Sequence, residues 1–450
     1  MDKSVLKEAE KPNVKLIADL QGIEFIHFGS EETSVYGAMG CFGQETPIEM
    51  FEKDYNSKKD IDGIKEKIFA ETAGRAHGAV LDQNSFTFNI KGLSRLTTLQ
   101  LCQPLYLSHL QQSMRRVTVD SGVQLPDAIL ESNFLEKTLD LMNESFALYS
   151  EMDSKKIPTE DARYILPLSV RTNIQTTGDA REFMHLYDMS TQDYTPSLIR
   201  DVVEDMMMQL KKNSPKMFED RENNYENRSW YPCPQLFSPE NETLKKIING
   251  VNGVQNNYKT YLINPTYFHM SDDTIKKAII GKDYAELNNL KQIKFKFLFP
   301  LSLSAYHQAV RQRTWNHDVE PIYDGIKRGE IIIPPIIEKS DFSQKYDSMN
   351  KRMLELYSDL IGGGIPKQEA LVVIPHSLKV HDIGEIDGWN AIYSLPLRTC
   401  QKAQWEIRNI ATDMAHKISK INPTLGEYAT YRGKLYENGC PEKKSCHRCD

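Results

Sequence analysis

Several groups of residues have the types and spacing for chemistry. Ser113 and Arg115 set a hydroxyl beside a forked cation, a pairing that grips a phosphate. With Arg116 alongside, the same residues could equally form a solvated helix face. Arg163 follows Glu160 and Asp161, so it either reaches an anion or closes a short-range ion pair of small worth. Gln404-Trp405-Glu406 brings together an amide, an indole and a carboxylate, although a tryptophan in a helix usually anchors a core. His77 and His185 stand alone, as structurally satisfied histidines often do. His317-Asp318 offers an acid–base pair near neutrality, but neighbours on one segment seldom face each other. Cys440, Cys446 and Cys449 end the chain as soft thiolates suited to tetrahedral zinc. A fourth ligand is missing from that pattern, and a tail that merely carries thiols is the alternative.

The elements that must hold these residues follow from periodicity and punctuation. Val14 to Ile17 and Phe86 to Ile90 read as strands, the second alternating before Lys91-Gly92. From Ser94 to Arg116 leucines recur at helical spacings, which predicts a mostly buried helix with a kink at Pro104. Ala128 to Met152 reads as a second helix, Ile157 to Arg163 as a turn and capped helix start that Pro167 breaks. Asp179 to Met208 is helical except around Pro196. Lys294 to Phe297 leads as a strand into Pro300, and Asp387 to Ile418 reads as a final helix interrupted only at Pro396.

These elements come twice. Pro104-Leu105-Tyr106-Leu107-Ser108 with Gln112 and Arg115 returns as Pro300-Leu301-Ser302-Leu303-Ser304 with Gln308 and Arg311, a spacing of 196 at the prolines. Ile157-Pro158 through Pro167-Leu168-Ser169 returns as Ile365-Pro366 through Pro375-His376-Ser377, and Asp205-Met206 as Asp413-Met414. Units of this size are domains, not solenoid repeats. The expected division is a first module at 1–211, a linker or insertion at 212–257, a second module at 258–436 and a cysteine-bearing tail at 437–450. Strands precede helices in each module, which argues an α+β fold with a small sheet and a helical layer.

The 450 residues, 40% hydrophobic and 26% charged, suffice for two cores. A net charge of -7 gives no electrostatic footprint for nucleic acid, and no apolar run is long enough to span a bilayer. The charged start, Met1 to Asn13, lacks the apolar stretch of a signal peptide, and a cytoplasmic protein is expected. Seven cysteines, four of them scattered at Cys41, Cys102, Cys233 and Cys400, do not form a disulfide framework.

The residues resemble the flavin-dependent thymidylate synthase family. Ala76-His77-Gly78 through Phe86-Thr87-Phe88 is similar to its GHxSxxEHxxFTF strand entry, and Ser94-Arg95 with Gln100-Leu101 to the SR…QL of its signature helix. Ser113 and Arg115 fall at the end of that signature. Ala162-Arg163-Tyr164-Ile165-Leu166-Pro167 matches ARxxLP, Gly178-Asp179-Ala180-Arg181 with His185 resembles GNxR…H, and Leu397-Arg398 through Ala403-Gln404-Trp405-Glu406-Ile407-Arg408 resembles LR…AQWEIR. The resemblance implies methylation of dUMP or a related pyrimidine nucleotide at C5, with methylene-tetrahydrofolate, NADPH and hydride from reduced FAD, and no protein nucleophile. It assigns Gln100, Ser113, Arg115, Arg163 and Arg398 to the nucleotide and His77, Arg181, His185 and Gln404 to the flavin. It further implies a homodimer of tandem modules, equivalent to the family's tetramer.

Departures from the family pattern leave a second reading open. The family's central Arg-His-Arg is aligned with Gln103-Pro104-Leu105 and with Phe299-Pro300-Leu301, so both modules lack it; Leu371 stands where Arg163 does, and Ser190 where Arg398 does. Arg163 and Arg398, each kept by one module, would complement each other in a composite pocket. The alternative is a catalytically degenerate nucleotide-binding or assembly subunit that retains the fold.

Overall fold

A computed structural model describes residues 13–19, 30–75, 77–119, 122–218, 231–251, 254, 257–266, 270–436 and 439–441. Two compact units arise, and neither is continuous in sequence. The first comprises Met1–Glu144, Pro167–Pro232 and Leu356–Val373; the second Ser145–Leu166, Cys233–Glu355 and Ile374–Asp450.

In the first unit, β1 (Asn13–Asp19), β2 (Phe86–Ser94), β3 (Ser108–Gln111) and β4 (Arg171–Gly178) form an antiparallel sheet in the order β1-β2-β4-β3. The alternation in β2 is that of a sheet with one buried face, with Phe86, Phe88 and Ile90 fully enclosed. In the second unit, β5 (Tyr261–Thr266), β6 (Lys294–Ser302), β7 (Asn316–Val319) and β8 (Lys379–Asp387) repeat the order as β5-β6-β8-β7. Here β6 is apolar on both faces because helix Glu242–Gly250, from the stretch between the repeats, brings Leu244 against Leu298 and Ile383. Each unit is α+β, as the order of elements predicts.

Three predicted helices break differently from their periodicity. The helix begun at Ser94 ends at Leu101, and the chain turns through Pro104 into the edge strand β3, which pairs with β4. Leu110, 74% exposed, therefore belongs to a strand rather than to a buried helical stripe. The Ala128 to Met152 stretch divides into Asp127–Leu130 and Leu135–Ser154. The last one divides into Gly388–Tyr393, Leu395–Thr399 and Trp405–Ile421, with Pro396 in the first turn of the middle piece and Gln404 capping the third.

Equivalent elements correct the repeat register. β6, helix Leu303–Ala309, β7, β8 and helix Trp405–Ile421 each start 208 residues after β2, helix Arg95–Leu101, β3, β4 and helix Ser197–Asn213. The spacing of 196 is therefore a coincidence of composition. Pro104 lies in the turn after a helix, whereas Pro300 lies inside β6 opposite His381, at the place that Gly92 takes in the first repeat with φ +79° beside a bulge. In the corrected register Gln103-Pro104-Leu105 stands opposite Arg311-Gln312-Arg313, not Phe299-Pro300-Leu301.

The discontinuity of the units has a repeated cause. In the first, Ser169 N donates to Val372 O at 3.0 Å, and Glu369 accepts from the backbone and hydroxyl of Ser197 at 2.9 and 2.6 Å. In the second, Ser377 N donates to Tyr164 O at 2.9 Å, and Asp161 accepts from the Trp405 indole. These are the same bonds 208 residues apart, with an acid from one repeat meeting the helix start of the other. Each unit thus carries the segment after the other repeat's long helix, and the units cut across the repeat boundaries at 211 and 258.

Close approach of backbones fixes one glycine in the second unit. A Cβ on Gly426 would lie 2.3 Å from the Ser419 Cα and 2.7 Å from its nitrogen, where helix Pro423–Thr430 meets helix Trp405–Ile421. Gly426→Ala is expected to cost about 2–3 kcal/mol of stability, because backbone cannot yield as a side chain can. A urea titration followed by circular dichroism measures it.

Candidate functional site

In the second unit the two most specific motifs meet. Glu406, fully buried, accepts from Ser302 N at 2.7 Å, from the Ser302 hydroxyl at 2.6 Å and from the Tyr164 hydroxyl at 2.6 Å. Gln404 caps the helix by accepting from Glu406 N and Ile407 N at 3.0 and 3.2 Å, and its Nε2 donates to Tyr164 at 2.6 Å. The Trp405 ring stacks on Tyr164 with centroids 6.0 Å apart. Burial raises the Glu406 carboxyl despite its donors and nearby Arg163, and it keeps the Tyr164 phenol protonated as a donor. Gln404 is spent on this network and wholly enclosed, so its geometry is that of a positioning group.

Arg163 is anchored beside the network. Its Nε donates to Glu160 O at 3.1 Å, its guanidinium carbon lies 6.0 Å from the Tyr164 ring, and it is 6% exposed. Arg398, half-buried on helix Leu395–Thr399, belongs to the same unit. So do Arg311 and Arg313, which the register of 196 concealed. They follow helix Leu303–Ala309, where the buried hydroxyls of Ser304 and Tyr306 have no partner among the described residues. Two guanidinium groups and two orphaned hydroxyls on one stretch fit an anionic, polar group such as a nucleotide or a flavin diphosphate. Extending the spacing of the Ile157 and Ile365 motifs back through the chain would have found them.

The first unit holds the remaining candidates. Gln100 is buried on helix Arg95–Leu101 and donates to Met189 O at 3.2 Å. Ser113 lines a cavity of about 10 Å³ with Arg95 and Arg171, two cations that the sequence did not single out as ligands. The Ser113 hydroxyl accepts from Arg115 N at 3.2 Å, so that turn holds the pair together. His77 is exposed. Arg181 pairs with Asp82 at 3.1 Å and packs over Gly78, where a Cβ would meet its Nε at 2.9 Å.

His185 is covered within its own unit. The Tyr231 ring lies 4.4 Å from it, centroid to centroid, while the Tyr231 hydroxyl donates to Glu182 and accepts from Leu105 N at 2.7 Å. At the positions equivalent to Arg181 and His185 the second unit has Trp389 and Tyr393, stacked at 5.0 Å, with Tyr393 54% exposed.

Burial, aided by the Arg181 charge, pushes the His185 imidazole down from 6.5 to about 4. The unfolded chain then takes up the proton first, so this contribution to stability is present above pH 6.5 and lost as pH falls towards 4, on the order of 3 kcal/mol. Asp161, raised by burial from 3.8 to about 6, acts oppositely, losing stability as pH rises through that window. Unfolding free energies of wild type and His185→Gln, measured from pH 4 to 7, should diverge with the His185 sign.

Two other candidates resolve differently. His317 bonds through Nδ1 to Asp382 at 2.7 Å across β7 and β8, not to Asp318 beside it, because alternate strand residues point to opposite faces. Cys440 is half-buried, while Cys446 and Cys449 lie outside the described residues. No group of three metal-ligating side chains occurs among the described residues.

Two sheets of one strand order, related by a constant register, define a tandem α+β scaffold, with ARxxLP in the first repeat and AQWEIR in the second. The chain matches the thymidylate synthase complementing protein family over residues 26–216 and 269–424, and it belongs to that family. It is similar to the flavin-dependent thymidylate synthase of Pyrococcus furiosus, 32% identical over 187 residues, covering 40% of this chain and 74% of the relative. That of Geobacter sulfurreducens is 30% identical over 169 residues, 36% of this chain and 71% of the relative. Among solved structures, a UMP/dUMP methylase from Streptomyces cacaoi bound with 5-Br dUMP aligns at a TM-score of 0.40 and 19% identity, over 47% of this chain and 95% of that one.

Proposed function

We propose that this protein is a methyltransferase that methylates dUMP or a related pyrimidine nucleotide at C5, as its curated relatives' name, flavin-dependent thymidylate synthase, suggests. In this reading methylene-tetrahydrofolate donates the one-carbon unit, C5 loses its proton, and a hydride completes the methyl group. FAD, when bound and reduced, would supply that hydride, with NADPH as the source of reducing equivalents. The chain's residues bind and orient. In the second unit Arg163, Arg311, Arg313 and Arg398 hold the anionic groups; in the first, Gln100, Ser113 and Arg115 are the nucleotide residues. The Tyr164–Gln404–Glu406 network fixes the backbone that carries Arg163. A homodimer of tandem repeats, cytoplasmic, is part of the proposal.

The observation that carries this reading is the pooling of both specific motifs and the retained arginine pair in one compact unit. A second reading, a nucleotide-binding or assembly subunit without catalysis, draws on Tyr231 covering His185 and on the loss of Arg-His-Arg from the first repeat.

The visible absorption spectrum of the purified protein, before and after incubation with FAD and dUMP, separates them. Flavin bands that survive gel filtration support the methyltransferase; a colourless protein in both samples overturns it in favour of the second reading.

A further inference from the structure

The repeats share a backbone bond beyond β3 and β7: Gln112 N donates to Asn173 O at 2.9 Å, and Glu320 N to His381 O at 2.9 Å. The side chains on that bond have diverged. In the first repeat they are two amides, with Asn173 Nδ2 donating to Gln112 Oε1 at 3.4 Å. In the second they are a carboxylate and an imidazole, 2% and 4% exposed. Glu320 accepts from His381 N at 2.7 Å, from His381 Nδ1 at 3.1 Å and from Arg328 Nη1 at 2.8 Å. Burial opposes its charge, but the bonds from His381 and Arg328 hold it below the usual carboxylate range.

A carboxylate on Nδ1 fixes that nitrogen as the donor and leaves Nε2 as the ring's other hydrogen-bonding atom. Among the described residues nothing bonds to Nε2. His381, Glu320 and Arg328 line a cavity of about 350 Å³, whose facing wall is helix Glu242–Gly250 with Lys245 and Ile248. Its counterpart in the first unit, lined by Gln112, Ser113 and Val119 where this one has Glu320, Pro321 and Lys327, encloses about 10 Å³. The two repeats therefore differ in the size of this cavity, and one has an amide pair where the other has a carboxylate and an oriented histidine.

We propose that this cavity is a ligand site peculiar to the second repeat, taking a small phosphorylated compound that carries hydroxyl groups. Lys245 and Lys327 meet the phosphate, a ligand hydroxyl donates to His381 Nε2, and the carbon skeleton packs on Ile248 and Pro321. Asp324, on the same wall, accepts a second hydroxyl. Lys245 is shared with Glu242 at 3.2 Å and Arg328 is taken up by Glu320 and Glu330, which leaves Lys327, without an ion pair among the described residues, as the cation that an anionic ligand meets first. The volume is at the small end of ligand pockets, the size of a sugar phosphate.

The test is isothermal titration calorimetry of the intact protein with ribose 5-phosphate and with inorganic phosphate, and with dUMP in parallel. Ribose 5-phosphate should bind once per chain, more tightly than phosphate. Lys327→Ala, an exposed change, should weaken it about fivefold, and Glu320→Gln with His381→Asn, which restores the first repeat's amide pair, about tenfold or more. The dUMP isotherm should be unchanged in both variants, which separates this site from the one proposed for methylation. Equal binding of phosphate and ribose 5-phosphate, no binding of either, or full affinity in the folded Lys327→Ala protein would overturn the proposal.

Discussion

Glu406→Ala is expected to lower the unfolding free energy by about 3–5 kcal/mol, the loss typical of removing one member of a buried charged network. The cause is the set of donors left behind. Ser302 N, the Ser302 hydroxyl and the Tyr164 hydroxyl all point at this carboxylate in a site closed to water. Each buried donor without an acceptor costs about 1–3 kcal/mol. Ser302 also caps helix Leu303–Ala309 through Ala305 N at 3.0 Å, so the disturbance reaches the helix that leads to Arg311. Glu406→Gln, which keeps the volume and one acceptor but sets an NH2 against donors, should lose about 2 kcal/mol. Tyr164→Phe should fall between the two, since Gln404 Nε2 then loses its acceptor as well. Urea midpoints of the four proteins give the order. A Glu406→Ala protein as stable as wild type would mean that the network does not exist in solution.

Replacing Arg311 and Arg313 together by alanine is expected to weaken dUMP and FAD binding by roughly a hundredfold, at about 1.5 kcal/mol or more for each lost charged hydrogen bond. Arg313 is exposed and Arg311 half-buried, so stability should change far less than binding does. Dissociation constants from calorimetry, beside thermal melts, separate the two effects. The control is Phe299→Leu inside β6, at the position that the shorter register had assigned to the triplet; it should leave binding unchanged. If the Arg311/Arg313 variant binds both ligands as wild type does, the methyltransferase reading loses its anion clamp.

The two repeats have diverged in opposite directions. The first keeps Ser113, Arg115 and Arg163 and has lost the triplet to Gln103-Pro104-Leu105. The second keeps Arg311, Arg313 and Arg398 and has Pro321, Tyr323 and Leu371 where the first keeps its groups. Because Ser145–Leu166 joins the second unit, Arg163 is gathered with the arginines that the second repeat retains.

The sequence by itself determined the duplication, the α+β class, the family, and the two specific motifs that carry Arg163 and Gln404. Those depend on local properties: residue identity at short spacing, alternation in β2, and prolines and caps at helix ends. It did not determine the register of the earliest repeated segment. Pro-Leu-x-Leu-Ser occurs once after a helix and once within a strand, and only pairing with β4 or β8 tells the two apart. Nor did it reveal that Glu406 is buried under Ser302 and Tyr164, or that His317 faces Asp382 and Tyr231 covers His185. Each of these contacts joins residues more than 40 positions apart. A charged or aromatic side chain has the same letter whether it faces water or a partner, and only the packed chain decides which.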